Sequence, residues 1–308
     1  MTHTSPSKST AENGPWTTRR LLAWMTSFLE SKSVDSPRLC AEMLLAHVIK
    51  SERLRLYMEP DRPAAPDELA ALRDLVARAG RHEPIAYLLG QWWFFGMPFE
   101  VSQATLIPRP STETLVEFVI QTVRAARDGQ DEKRPLRIAD IGTGSGCIAV
   151  SLAKNLADVD ILASDVSPDA LDMAARNAQR HGVRDTVGFV EGPLTAPLDE
   201  AGLSGSLDFL ISNPPYISDQ EWQQVPTNVR DYEPPLALRG GRDGLVCIKP
   251  LIESGPLYVR PGGWLVIEIA ASQAQAALQL AQNHTDLQEA RILDDHECLP
   301  RVLIAQRR

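Results

Sequence analysis

Apolar residues recur three and four positions apart in the first quarter of this chain. Later they come in short unbroken runs. In "TTRRLLAWMTSFLESKSV" the spacing places Leu21, Leu22, Met25, Phe28 and Leu29 on one face of a helix. Ser36-Pro37 is a helix start, a capping residue followed by proline at the first helical position, and it opens "RLCAEMLLAHVIK". A third helix is predicted over "PDELAALRDLVARAG", where Leu69, Leu72 and Val76 share a face and Gly80 ends it. The expected organisation is a polar, flexible tail over residues 1–16 and a small helical domain over 17–83. Residues 84–110 then turn aromatic and Gly/Pro-punctuated. They read as a β-hairpin connector turning at Gly96, with Trp92, Trp93, Phe94 and Phe95 as its buried face. From 111 to 308 predicted strands ("LRIADIG", "DILASD", "TVGFVEG", "LDFLISN", "GWLVIEIA") alternate with predicted helices ("GCIAVSLAKNL", "SPDALDMAARNAQRHG", "SQAQAALQLAQNH"). That alternation specifies an α/β fold, a parallel sheet wrapped by helices. The last segment has two β-like pieces without an intervening helix, so the sheet should close on an antiparallel edge pair.

Candidate chemistry sits at two strand ends. In "IADIGTGSGCIAV" a strand runs through Gly142, Thr143, Gly144, Ser145 and Gly146 into a helix. Glycines there allow a tight turn and close approach of a ligand to the backbone. Asp165 ends the following strand, where an acid suits the two hydroxyls of a ribose. The spacing is G-x-G-x-G and the loop holds no basic residue, so a pyrophosphate or triphosphate lacks its usual partner. Asp140 at the loop's start adds a second acid. Two acids suit a ligand with a ribose and a cationic group, and S-adenosylmethionine carries a sulfonium and an ammonium. A tight turn without a ligand is the competing reading of such a loop.

The second strand end is "LDFLISNPPYIS". Asn213 offers one carbonyl acceptor and two donors. Pro214 and Pro215 have no N–H, so the loop presents carbonyl oxygens with few competing donors, and Tyr216 offers a flat ring. Such a loop is suited to hold a planar NH₂ by both hydrogens. Two acceptors orient the nitrogen and stabilise the positive charge that grows on it during attack. Tyr216 would stack on the planar group. The plain alternative is a loop breaker.

Composition narrows the field. The 308 residues carry a formal charge of −9, and no dense Lys/Arg cluster appears, so direct nucleic-acid binding is not expected. The four cysteines (Cys40, Cys147, Cys247, Cys298) form no C-x-x-C pair and the six histidines no ligand spacing, so neither a disulfide framework nor a metal site is expected. Reduced thiols and the absence of a long apolar run or an apolar N-terminal segment read as cytoplasmic, without membrane association.

Taken together, "DIGTGSG" and "NPPY" resemble the amino-methyltransferases that use S-adenosylmethionine. Within them, "PIAYLLGQWWFFGMPFEVSQATLIPRPSTETLVE", "SNPPYIS" and "YEPPLALRGGRDGL" resemble the HemK/PrmC family over nearly the whole chain. Those enzymes methylate the glutamine side-chain amide in the Gly-Gly-Gln motif of class I peptide-chain release factors. The resemblance implies a Rossmann-like S-adenosylmethionine-dependent methyltransferase sheet over 111–308. The helices of the first domain carry no chemistry, which assigns that domain to gripping the protein substrate. The resemblance implies a cofactor loop at Gly142 to Gly146 and a ribose acid at Asp165. It also implies a segment Asn213 to Tyr216 that meets both cofactor and glutamine, and Arg109 in "IPRP" near the active-site mouth, where a structural salt bridge competes as explanation. After the third strand the family shows an acid and a large apolar or aromatic residue against adenine, whereas this chain has Gly192 and Pro193. Two rival substrates fit the same chemistry, a glutamine of a large-subunit ribosomal protein and an adenine-N6 group of nucleic acid. The first family tends to read P-R-S-P where this chain has Pro108-Arg109-Pro110-Ser111, and the second should bring a basic surface or a target-recognition domain. A binding scaffold on an inactive methyltransferase fold is the non-enzymatic rival, and the intact glycine loop and Asn213 speak against it.

Overall fold

The computed structural model describes residues 14–127 and 134–308. The expected tail over 1–16 therefore lies, up to residue 13, outside the described residues. The chain divides into two compact units, Met1–Leu89 and Gly90–Arg308.

The first unit is helical: α1 Thr18–Ser31, α2 Pro37–Val48, α3 Arg53–Met58, α4 Pro66–Ala79 and α5 Ile85–Leu89. The apolar stripes meet in one core, with Leu21, Met25 and Leu29 against Leu44, Leu72 and Val76. Glu42 is buried in α2, where Arg38 (2.7 Å), Arg53 (2.9 Å) and the Tyr57 hydroxyl all donate to its carboxylate. Two helices differ from the sequence reading. The pattern gave no sign of α3, and Ile85–Leu89, read as the start of a β-like connector, is helix α5. Runs of five or six residues are too short for periodicity to separate helix from strand.

The second unit opens with a hairpin, β1 Gln91–Phe94 and β2 Met97–Glu100, whose Phe95-Gly96 turn has φ of +50° and +73°. Positive φ at both central residues gives the turn that matches the twist of paired strands. Phe94 and Phe99 are buried, but Trp93 is 60% exposed. The expectation of one aromatic face is thereby corrected, because successive side chains on a strand point to opposite sides.

The main sheet follows α6 (Glu113–Arg127). Its strands are β3 Leu136–Ile141, β4 Val159–Asp165, β5 Val187–Glu191, β6 Leu207–Ser212, β9 Val259–Glu268, β10 Leu287–Asp294 and β11 Pro300–Arg307; a short pair, β7 Ile217–Ser218 and β8 Arg239–Gly241, stands apart. The order is β10-β11-β9-β6-β3-β4-β5, parallel from β9 to β5 and antiparallel where β11 meets β9 and β10. The expected antiparallel edge pair is present. Period-two alternation splits each strand between two cores. Ile138, Ile161, Phe209 and Ile211 face α6, α7 (Cys147–Asn155) and the hairpin phenylalanines. Ala139, Ile141, Leu210 and Ile267 face the helices Ile248–Ser254 and Ala274–Asn283. All six residues of β6 are buried, as a strand covered on both faces requires. At its amino end Asp208 is pinned by Arg134, Arg260 and the Arg137 N–H. From β3 the chain steps to β4 and β5 on one side and to β6 and β9 on the other. The carboxyl ends of β3 and β6 therefore flank the switch point where such sheets bind ligands.

Candidate active site

The loop from β3 to α7 is held by its own backbone hydrogen bonds. Gly142 and Thr143 donate their N–H groups to the Ser164 carbonyl (2.8 and 2.9 Å), and Gly146 N–H to the Thr143 carbonyl (2.9 Å). Gly144 has φ +55° and a Cβ there would meet nothing within 4 Å, so its backbone faces open space. Gly146 has a different task. A Cβ on it would lie 2.9 Å from Cβ of Ala174 in α8 (Pro168–Arg180), so this glycine lets two helices approach. It is absent from the residues that line the cavity. Asp140 is absent from them too. It is wholly buried beneath the loop, where the Thr143 hydroxyl (2.7 Å) and the Ala149 N–H (3.2 Å) donate to Oδ2, and Oδ1 has no partner. Burial pushes its carboxyl up to about 6. It shapes the loop rather than the cavity wall.

Asp165 ends β4 beside this loop. Gly144 N–H donates to Oδ2 (2.9 Å) and Ser167 N–H to Oδ1 (3.0 Å), and the carboxylate lines the cavity. Each oxygen has further lone pairs to accept a ligand hydroxyl. Asn177, fully buried on α8, was not legible in the sequence. It donates to the Ser145 carbonyl (2.8 Å) and the Glu100 carbonyl (3.0 Å) and accepts from Glu100 N–H (2.7 Å), joining loop to hairpin.

A cavity of about 390 Å³ opens over this loop, within the range of small-molecule sites. Gly142, Thr143, Gly144, Ser145 and Asp165 form one wall, Asn213, Pro214 and Pro215 another, and Arg109 and Thr112 a third. Gly192 and Pro193 are also at the wall, and Leu194, one residue beyond, supplies the larger apolar side chain at that edge. Among the described residues that line the cavity there is no His, Lys or Glu.

Asn213 follows β6 directly, and its Nδ2 donates to the Thr112 hydroxyl at 3.1 Å. Tyr216 does not line the cavity. Its ring packs into the core beneath, its hydroxyl donates to Glu268 Oε1 (3.1 Å), and burial raises its pKa. This corrects the expectation of a flat ring facing the ligand. The cause is Glu268 at the end of β9, a fully buried carboxyl that a phenol can satisfy. Burial pushes the Glu268 carboxyl up to about 7, against the hydroxyls of Thr112 and Tyr216 and the positive charges of Arg301 and Arg109. The Tyr216 carbonyl accepts from Gln273 Nε2 (2.8 Å), and β7 pairs with β8, so the turn after Asn213 is held from two sides.

Arg109 both lines the cavity and makes the competing salt bridge, donating to Glu233 Oε1 at 2.5 Å. The Glu233 side chain is 1% exposed, and its Oε2 accepts from Ile107 N–H at 3.1 Å. Arg109→Ala leaves that buried carboxylate without its cation, and unfolding free energy should fall by about 1–3 kcal/mol, the lower part of the range because the guanidinium is partly solvated. A thermal melt unchanged from wild type would refute the pairing's contribution.

The fold is that of a Rossmann-like methyltransferase, with a glycine loop after β3 and a polar turn after β6. Residues 20–90 match the family described as PrmC N-terminal domain, and residues 118–229 the methyltransferase small domain. The release factor glutamine methyltransferase of Geobacter sulfurreducens is 41% identical over 263 residues, 85% of this chain and 87% of that protein. The protein of the same name from Chlorobaculum tepidum is 38% identical over 293 residues, 95% of this chain and 98% of that one. The chain belongs to the release factor glutamine methyltransferase family. Among solved structures, the hMettl16 catalytic domain in complex with the MAT2A 3′UTR hairpin 6 superposes with a TM-score of 0.50 at 18% identity, over 78% of this chain and 81% of that one, a likeness of fold. Among the described residues, no helix is long and apolar enough to cross a membrane, and no cluster of His, Cys, Asp or Glu could hold a metal.

Proposed function

We propose that this protein transfers a methyl group from S-adenosylmethionine to the side-chain amide nitrogen of the glutamine in the Gly-Gly-Gln motif of class I release factors. The observation that carries this reading is identity of 41% over 85% of the chain to a relative named for that activity. Bound S-adenosylmethionine supplies an electrophilic methyl on a sulfonium. The open space over Gly144 and the Asp165 carboxylate on the cavity wall suit a cationic ligand with a ribose. Asp165 would accept from the ribose hydroxyls, and Gly142 to Ser145 would line the cofactor site beside it. Leu194 and Pro193 give the base an apolar edge.

Asn213 and the Pro214 carbonyl hold the two hydrogens of the substrate amide. They orient its nitrogen and share the positive charge that grows there. No base among the described lining residues is required, because a methylated, cationic amide nitrogen is acidic enough to lose its proton to water. Every described lining residue of the cavity lies beyond residue 100, so the helical unit is left to grip the protein substrate.

The test is mass spectrometry of purified release factor after incubation with enzyme and S-adenosylmethionine. One added methyl on the Gly-Gly-Gln peptide is expected. Methyl transfer instead to ribosomal protein or nucleic acid, with unmodified release factor, would overturn the reading. A second expectation concerns the cofactor. Asp165→Ala should weaken S-adenosylmethionine binding about tenfold or more, the loss of charged acceptors worth roughly 1.5–3 kcal/mol. Unchanged affinity by calorimetry in a folded variant would rule out the ribose assignment.

A further inference from the structure

Asn213 can present either end of its amide to the cavity, and only one end is an acceptor. The structure shows what decides between them. Nδ2 of Asn213 donates to Thr112 Oγ1 at 3.1 Å, which turns Oδ1 away from Thr112. Thr112 is 2% exposed, on the short helical turn Pro110–Thr112 before α6; its hydroxyl accepts from Asn213 and favours the charged form of the buried Glu268 carboxyl. A hydroxyl has one proton. If that proton points at a carboxylate, the oxygen's lone pairs remain for Asn213, and the asparagine must offer its NH₂. Glu268 is held in place by the Tyr216 hydroxyl on Oε1, and Oε2 has no well-aligned partner among the described residues. The groups facing Glu268 are donors or cations: Thr112, Tyr216, Arg109 and Arg301, with the Cys147 thiol near by.

We infer that Thr112, backed by Glu268, is a positioning residue that sets the orientation of the Asn213 amide so that its carbonyl oxygen faces the substrate. Neither Thr112 nor Glu268 carries out chemistry on the substrate. They fix donor and acceptor polarity along Glu268, Thr112 and Asn213. Tyr216 completes the base of the relay, which gives its hydroxyl a task away from the cavity. This inference rests on the proposed methylation of a planar amide at Asn213.

The experiment compares Thr112→Val, which keeps shape and loses the hydroxyl, with Thr112→Ser, which keeps the hydroxyl. Rates are measured as single-turnover methylation of release factor at about pH 8.5, above the Glu268 titration. Thr112→Val should lower the rate about tenfold, the worth of one hydrogen bond that fixes the amide. Thr112→Ser should restore it to within about threefold of wild type. In an Asn213→Ala background Thr112→Val should have no further effect, because the relay acts through that amide alone. A wild-type rate in Thr112→Val, or a full tenfold loss added to that of Asn213→Ala, would overturn the inference while leaving the proposed function standing. Glu268→Gln is the second variant if Thr112→Val does not fold, with the same non-additivity expected and additivity as its refutation.

One readout needs no substrate. In nitrogen-labelled enzyme the Asn213 side-chain NH₂ resonance, assigned by its loss in Asn213→Ala, should exchange slowly with water in wild type and Thr112→Ser and faster in Thr112→Val. Equal exchange in all three would sink the relay. Failure of wild-type enzyme to methylate release factor would count against the proposed function, with the exchange result still deciding the relay.

Discussion

Asn213→Ala is expected to lower single-turnover methyl transfer by about a hundredfold or more, with release-factor binding changed far less. In the proposed function its carbonyl oxygen is one of two acceptors offered to the amide, and removing one preorganised partner costs on the order of 10²–10³ in rate. An interaction made mainly in the transition state appears in kcat and not in substrate affinity. The residue is well placed for such a separation. It follows a strand buried along its whole length, its NH₂ is anchored to Thr112, and two prolines stiffen the turn after it. Asn213→Asp keeps an acceptor, loses the donors that hold the rotamer and adds a charge near the sulfonium. It should also be impaired. Rates within a few-fold of wild type for Asn213→Ala would mean that Asn213-Pro214-Pro215-Tyr216 is only a loop breaker.

Gly244→Ala should be the most damaging single methyl group in the second unit. Gly244 has φ +77°, and a Cβ there would lie 2.1 Å from Gln273 Nε2 and 2.4 Å from the Tyr216 carbonyl oxygen. Gln273 is the residue whose amide satisfies that carbonyl. The added methyl therefore pushes on the backbone that presents Asn213 to the cavity, with backbone on one side and a hydrogen-bonded amide on the other. A left-handed conformation costs about 1–2 kcal/mol for a residue with a Cβ, and overpacking adds roughly 1–3 kcal/mol. For a protein of this size the sum should lower Tm by roughly 5–15 °C. Methyl transfer should fall as well, at temperatures where the variant is still folded. A Tm within about 1 °C of wild type would show that the turn can move aside at little cost.

Much of this architecture was legible from local pattern. The alternation of strands and helices after residue 111, the glycine loop on the first strand of the sheet and the acid at the end of the next are consequences of periodicity and turn chemistry, which nearby residues dictate. The same holds for the Phe95-Gly96 hairpin turn and for the three longer helices of the first unit. Short elements were not legible, because the six residues of α3 and five of α5 give periodicity too little length. Long-range partners were less so. Nothing near Tyr216 in sequence reveals that a buried Glu268, 52 positions on, takes its hydroxyl and turns its ring out of the cavity.

The sequence by itself determined the sheet, the two strand ends that meet at the cavity, and the run of asparagine and prolines rich in carbonyl oxygens, because these follow from bonding capacities and from the period of apolar residues. Only the tertiary structure decided which of those side chains reach the cavity. Asp140 and Gly146 went to shaping the loop and Tyr216 to the core, while Arg109 was shared between the cavity wall and Glu233. Thr112, Glu268 and Asn177 were drawn in from 101, 55 and 32 or more positions away to fix what remained. The reason is physical. A buried polar atom must find a partner wherever the packed chain brings one within about 3 Å, and that neighbour is set by the crossing of strands and helices rather than by adjacency along the chain.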